Sequence, residues 1–306
     1  MRSFTQVRLF SALLLIAANL LWAGQGVAVK LLDGHLDPLA IALLPFYCIT
    51  AIGFSILLLS RSFLPRCALA WRCRKEFLLA GICGQFVAQV GMTLGVSWSL
   101  ASNGAILSLL IPILSALIAT WLLRERLTVL RIGSLLVGIA GVLLLSPIDR
   151  STALAISTHP LAGNLLITAG CLGSAFYNVY SKRLLDRFSD LEVLFFSYLA
   201  TTIVGLPMLI LFDPHCLAEL SRFHASTWAA FAYLAVVLYG LSMVLFLRAL
   251  RKVDAIVASA SLYLVPLFGV GLAFAILNEN LAPQAIVGSI IVLFATLMLF
   301  RFDYSV

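Results

Sequence analysis

Ten apolar runs follow one another from Leu9 to Phe302, each close to the length that crosses a lipid bilayer. A helix needs about 20 apolar residues to traverse the hydrocarbon core. The runs in the first half are Leu9–Leu31, Leu39–Ser60, Phe77–Trp98, Gly104–Leu123 and Ile132–Ile148. Those in the second half are Leu161–Ser181, Val193–Phe212, Trp228–Leu247, Ala255–Leu277 and Ala285–Phe302. Only a short polar break separates Trp98 from Gly104. The fifth run is short and extends back into Leu127–Arg131 if Arg131 snorkels. Apolar residues make up 62% of the 306 and charged residues 11%. That leaves too little polar surface for a soluble globule, and too much apolar content for a disordered chain. The runs do not alternate apolar with polar, so they read as helices and not as barrel strands. The N-terminal run is too long for a signal peptide, and no small-residue cleavage site closes it. The expected class is an all-α polytopic membrane protein.

The positive charges sort by side. With the N-terminus inside, 17 of the 20 Lys and Arg fall on the inner face. Only Lys30, Arg150 and Arg222 fall outside. The asymmetry supports ten spans with both termini cytoplasmic. It also explains the net charge of +7 without a nucleic-acid footprint, because the basic residues are scattered singly between apolar runs. Cys48, Cys83 and Cys171 sit in apolar runs and read as small hydrophobes. Cys67 and Cys73 share a basic loop without a histidine and make a poor zinc site. All four histidines, His35, His159, His215 and His224, lie in predicted outer loops, so no catalytic set forms at membrane depth and an enzyme is not expected. No metal or cofactor is called for.

The two halves repeat each other. Shifted by 154 residues, Ala101 meets Ala255, Leu110 meets Leu264, Pro112 meets Pro266, Glu125 meets Glu279 and Leu127 meets Leu281. Shifted by 152, Leu13-Leu14 and Lys30 meet Leu165-Leu166 and Lys182. The expected division is 1–148, a linker at 149–160, and 161–306. Five helices per half is an odd number, so the second copy enters the membrane from the opposite side. Inverted repeats of this kind are an architecture of alternating-access transporters. A mid-helix proline, then Glu-x-Leu about 13 residues later, then a glycine-containing helix, occurs twice. This pattern resembles the drug/metabolite transporter superfamily, EamA type, over essentially the whole chain. The resemblance implies an inner-membrane carrier, usually an exporter of small metabolites. It also implies a central cavity lined by the first, third, fourth, sixth, eighth and ninth helices.

Polar groups within the runs are the candidates for that lining, because hydrocarbon disfavours them. Asn19, Trp22 and Gln25 share a face of the first helix. Gln85, Gln89 and Thr93 form a stripe on the third. Ser174, Tyr177, Asn178 and Ser181 cluster on the sixth, Tyr239 and Ser242 on the eighth, and Ser259 and Tyr263 on the ninth. Pro112 and Pro266 each remove a backbone donor at mid-membrane and are hinge candidates. Gly91 and Gly95 are a small-xxx-small pair suited to close helix packing. Glu125 and Glu279 follow the last apolar residue of their helices. They read as structural carboxylates, bonding the start of the next helix or a neighbouring arginine.

No carboxylate lies within any of the ten runs. The lining is amide, hydroxyl and aromatic, which suits neutral or zwitterionic solutes. The expectation is a monomer whose partners are a small-molecule substrate and the lipid bilayer. A quaternary-amine or multidrug exporter and a lipid-linked sugar flippase are the alternatives on the same fold.

Overall fold

A computed structural model describes residues 4–60, 63–99, 104, 107–145, 160–277 and 283–302. Among these residues every regular element is helical. Helix α1 spans Phe4–Ala23 and resumes after Gly24 as Gln25–Leu32. Then come α2 (Pro38–Leu58), α3 (Arg74–Trp98), α4 (Leu110–Leu122) and α5 (Val129–Leu145). The second half holds α6 (Pro160–Leu185), α7 (Asp190–Phe212) and α8 (Ala225–Leu250). Helix α9 runs from Ala255–Ala260 through a 3₁₀ turn, Ser261–Tyr263, into Leu264–Leu277, and α10 spans Pro283–Phe302. A further amphipathic helix, Phe63–Arg72, links α2 to α3. Helices α1, α2, α3, α7 and α8 are each long and apolar enough to cross a membrane, and α4, α5, α9 and α10 carry shorter apolar stretches. At 26 residues, α6 is more polar along its length, with Asn164, Ser174, Asn178 and Lys182. It is enclosed by α3 and α4. The chain is an all-α polytopic membrane protein.

The contacts between halves follow a two-fold pattern. Helix α3 lies along α6 as α1 lies along α8, and α4 meets α6 as α9 meets α1. Pairs α2–α7, α4–α9 and α5–α10 map onto themselves. The helix ends give the direction of the repeat. At the end of α8, Arg251 donates to the carbonyls of Leu185 and Phe188, so α6 and α8 end together. Near its start, Tyr233 donates to the Leu21 carbonyl late in α1, and Phe223 meets the ring of His35 just beyond it. The first helices of the two repeats therefore end at opposite ends of α8. The repeats are inverted, and one end of the bundle gathers Arg66, Arg131, Lys182, Arg248 and Arg251. Arg131 does not snorkel to water: its side chain is fully buried and ion-paired with Asp254.

Exposed apolar stripes mark the lipid-facing surface. Ile203, Leu206 and Ile210 do so on α7, and Ile286, Ile290, Phe294 and Leu297 on α10. With lipid as apolar as the helices, association depends on close backbone approach. The α3–α6 seam supplies it. A Cβ on Gly91 would fall 2.8 Å from the Leu166 carbonyl oxygen, and one on Gly170 would fall 2.7 Å from the Met92 nitrogen. Helix α7 begins with a capping box: Ser189 accepts from the Glu192 N–H, and Glu192 accepts from the Ser189 N–H at 2.7 Å. Such a cap stabilises by about 1 kcal/mol.

At the opposite end, Asp213 follows α7. Burial raises its carboxyl above the ordinary carboxylate range, and the charges of Glu219 and Asp37 add to the rise. One oxygen of Asp213 and one of Glu219 are buried without a hydrogen-bond partner among the described residues. A carboxyl raised by folding contributes stability below its unfolded pKa and loses it as pH climbs through the folded value.

Two outcomes are expected. Gly170→Ala lowers the thermal midpoint in detergent by several degrees, because its new Cβ meets backbone. Gly26→Ala, with nothing within 4 Å, leaves the midpoint unchanged within error. Asp213→Asn raises the midpoint at pH 7 to 8, and the gain disappears below about pH 4, where the native carboxyl is protonated in both states.

Candidate functional site

Four of the helices that meet across the repeats, α1, α3, α8 and α9, are irregular. Helix α3 widens into a π-helical stretch at Leu79–Phe86, and α8 does the same at Tyr233–Ser242. These are the third helices of their repeats. At the 154-residue offset, Gln85 coincides with Tyr239. π turns shift the hydrogen-bond ladder and recur at functional sites. In α9 the 3₁₀ turn Ser261–Tyr263 precedes Pro266, which cannot donate to the Leu262 carbonyl. In α1 the break falls at Gly24, where a Cβ would lie 2.3 Å from the Tyr233 hydroxyl.

Side chains from neighbouring helices satisfy the carbonyls at these irregular turns. Thr201 of α7 donates to Gly81 O at 3.0 Å, within the π stretch of α3. Tyr198 of α7 donates to Tyr239 O at 3.1 Å, within the π stretch of α8. Tyr233 donates to Leu21 O at 2.6 Å, one turn before the break in α1. Every polar group so used is spared the cost of burial without a partner.

The candidate lining residues fall into several groups. Gln89 of α3 accepts from the Tyr239 hydroxyl of α8 at 3.0 Å. The Tyr239 ring stacks on Phe46 of α2 with centroids 4.6 Å apart, and Tyr198 meets the same Phe46 edge-on. Asn19 of α1 is fully buried and donates to Ser261 of α9 at 2.9 Å, while its amide oxygen has no partner among the described residues. One turn on, Trp22 packs on Phe246 of α8 with centroids 5.3 Å apart. On α9, Ser259 and Tyr263 are buried, and neither hydroxyl has a hydrogen-bond partner among the described residues. The Tyr263 ring covers Gly138 of α5. Ser115 of α4 and Ser134 of α5 are also buried with unpartnered hydroxyls.

The remaining candidates are placed differently. Tyr177 is buried; its hydroxyl lies 3.2 Å from that of Ser197, with Gln85 beside it. Ser181 donates to the Tyr177 carbonyl at 2.5 Å and Ser242 to that of Leu238, each one turn back on its own helix. Asn178 is buried, and Gln25, Thr93 and Ser174 are half-buried. Pro112 is buried in α4, and Pro266 is half-buried in α9. Glu279 lies outside the described residues. Sequence reasoning passed over α7, whose Ser197, Tyr198, Thr201 and Thr202 all make hydrogen bonds. Their i, i+4 spacing was the available signal. It also passed over Pro45 and Pro207, inside α2 and α7.

At the basic end, Glu125 meets a different helix from the one expected. Its carboxylate accepts from Lys182 Nζ at 2.9 Å and from the backbone N–H groups of Ala255 and Ile256 at 2.7 and 3.0 Å. These are the first N–H groups of α9, not of α5, and a carboxylate there complements the helix dipole. Arg124 takes the left-handed conformation, φ 58°, that ends α4 just before it.

An apolar bundle with inverted repeats and a polar seam between them has the form of a membrane carrier. The chain belongs to the EamA-like transporter family, whose model matches residues 9–146 and again 161–301. Its resemblance to the drug/metabolite transporter superfamily holds, and the family and the named relatives mark it as a membrane transporter. It is 24% identical to an uncharacterized transporter of Archaeoglobus fulgidus over 88% of this chain and 89% of that one. It is 27% identical to a probable terminal-alkyne amino-acid exporter of Streptantibioticus cattleyicolor, over 69% of this chain and 67% of that one. A solved crystal structure shares the fold with a TM-score of 0.74 at 18% identity, covering 96% of this chain and 97% of that one.

Proposed function

We propose that the chain exports small neutral or zwitterionic metabolites, amino-acid-like in size and polarity. It does so across the cell (inner) membrane by alternating access at the seam between repeats 1–148 and 161–306. Both termini face the cytoplasm, following the sidedness of Lys and Arg. The observation that carries the reading is the set of buried, unpartnered polar atoms on α1 and α9: the Asn19 amide oxygen and the Ser259 and Tyr263 hydroxyls. Leaving a buried polar group unpaired costs about 1–3 kcal/mol. A polar ligand entering that seam supplies the missing partners.

Gln89, Tyr239 and Trp22 add an amide, a phenol and an aromatic wall from α3, α8 and α1. None of these groups carries a charge, so a cationic drug would find no counter-ion among them. A zwitterion brings both charges of its own and takes hydrogen bonds from amides and hydroxyls. The amino-acid exporter among the relatives supports the same substrate class. The charged groups of the described helices lie near their ends, as with Glu76, Lys182, Asp190 and Glu192.

The test is counterflow of labelled neutral amino acids in proteoliposomes of purified protein. Gln89→Ala and Trp22→Ala are expected to lower uptake about tenfold, the equivalent of 1.4 kcal/mol, while remaining monodisperse. Extrusion of cationic dye strictly driven by a proton gradient, with no amino-acid flux, contradicts the substrate assignment.

A further inference from the structure

We infer that the ion-paired cluster at the basic end is a latch between the repeats, which must come apart for the carrier to open on that side. The inference rests on the alternating-access reading above.

Its principal bonds cross from the first repeat to the second, while the contacts of Lys182 with Asp254 and Val253, and the pairs of Asp190 with Arg248 and Arg251, stay within the second. Glu125, just after α4, holds Lys182 of α6 and the first N–H groups of α9. Arg131 of α5 pairs with Asp254, the residue before α9, and Lys182 also approaches that carboxylate at 3.5 Å. Beside them, Arg66 of the surface helix grips both carboxylate oxygens of Glu192 on α7 at 2.6 and 2.5 Å, and donates to the Arg187 carbonyl. The four central charges, Glu125, Asp254, Arg131 and Lys182, sum to zero. Their side chains are mostly enclosed, with exposures of 7%, 20%, 0% and 24% respectively.

Burial gives this cluster two settled arrangements and disfavours those between. Removing one partner from an enclosed pair strands a charge in a poor solvent. Full separation returns every charge to water, which solvates it well. A cluster of this kind is therefore either fully mated or fully hydrated, the property required of a gate that alternates. Its bonds also converge on the helices that carry the proposed site: Asp254 and the Ala255 N–H lead into Ser259 and Tyr263 of α9, and Lys182 ends α6. Separation at this end would swing α9 away from α4 and α5, against which it lies.

The opposite end is fastened by other means. There, among the described residues, the repeats meet through the Tyr233 hydroxyl on the Leu21 carbonyl, the Ser99 hydroxyl on the Asn164 amide oxygen at 2.7 Å, and the ring contact of His35 with Phe223. These contacts are short-range and without net charge. The two ends are thus held by different chemistry, and among the described residues the ion pairs between repeats gather at the basic end.

Hydrogen–deuterium exchange on the full chain in lipid nanodiscs tests the latch without any substrate. The variants are Glu125→Gln and, should that one fail to fold, Lys182→Met. The expected result is reciprocal. Uptake in segment 250–258 rises several-fold, and uptake in segments 21–36 and 223–233 falls as the far end closes. A rise confined to 250–258 in a folded variant assigns the cluster to local bracing and overturns the latch. Unchanged exchange in folded variants overturns it too. Absence of amino-acid flux in the unsubstituted protein removes the substrate assignment alone, because exchange reads the latch independently of substrate.

Discussion

A peptide group in hydrocarbon has no water to bond, so every departure from a regular helix must be met by protein. This constraint organises the bundle. The outer helices answer it by regularity and turn apolar stripes to lipid. Four helices between the repeats depart from it, through π turns in α3 and α8, a break in α1 and a 3₁₀ turn in α9. At each of the first three, a side chain from a neighbouring helix donates to a carbonyl at or beside the irregular turn. Helix α7 serves both π stretches, through Thr201 and Tyr198. The irregular turns and the polar residues that satisfy them therefore occur together, and they occur between the repeats.

The same solvent sorts the polar groups by kind. Uncharged amides and hydroxyls reach the depth of the bundle, where an interhelical hydrogen bond is worth about 1 kcal/mol. Charges stay near the ends, where water or a partner is at hand. Inversion of the repeats makes the two ends unequal in sequence: one collects the arginines and lysines, and the other, among the described residues, is joined by an aromatic contact and by uncharged hydrogen bonds of Tyr233 and Ser99. A carrier built in this way has a neutral interior and one ionic end.

Much of this was legible in the residues. Apolar run length gave the helices, and the 154-residue offset between Glu125 and Glu279 exposed the duplication. The odd helix count and the sidedness of Lys and Arg then required inversion. The partners of individual side chains were not legible. Glu125 was expected to bond the next helix, yet it caps α9, because a fold that interleaves two repeats brings together residues 130 positions apart. Tyr177 stood among the lining candidates on α6, but its partners, Ser197 of α7 and the Gly84 turn of α3, were not legible. Serines 181 and 242 shared a helix with good candidates, but their protons go to carbonyls one turn back. The π stretches left no trace in the apolar pattern, because a widened turn changes backbone bonding without changing hydropathy. The role of α7 was missed for a related reason: its hydroxyl residues serve the backbone of other helices, which periodicity alone does not reveal.

The central claim is that a polar seam between inverted repeats is reached alternately from each side of the membrane. Accessibility of a cysteine placed at Tyr239 measures it most directly, using a membrane-impermeant thiol reagent on right-side-out and inside-out vesicles. The expected result is labelling from both sides, with slower labelling in the presence of a transported amino acid. Labelling from neither side, or from one side only under all conditions, would contradict the account.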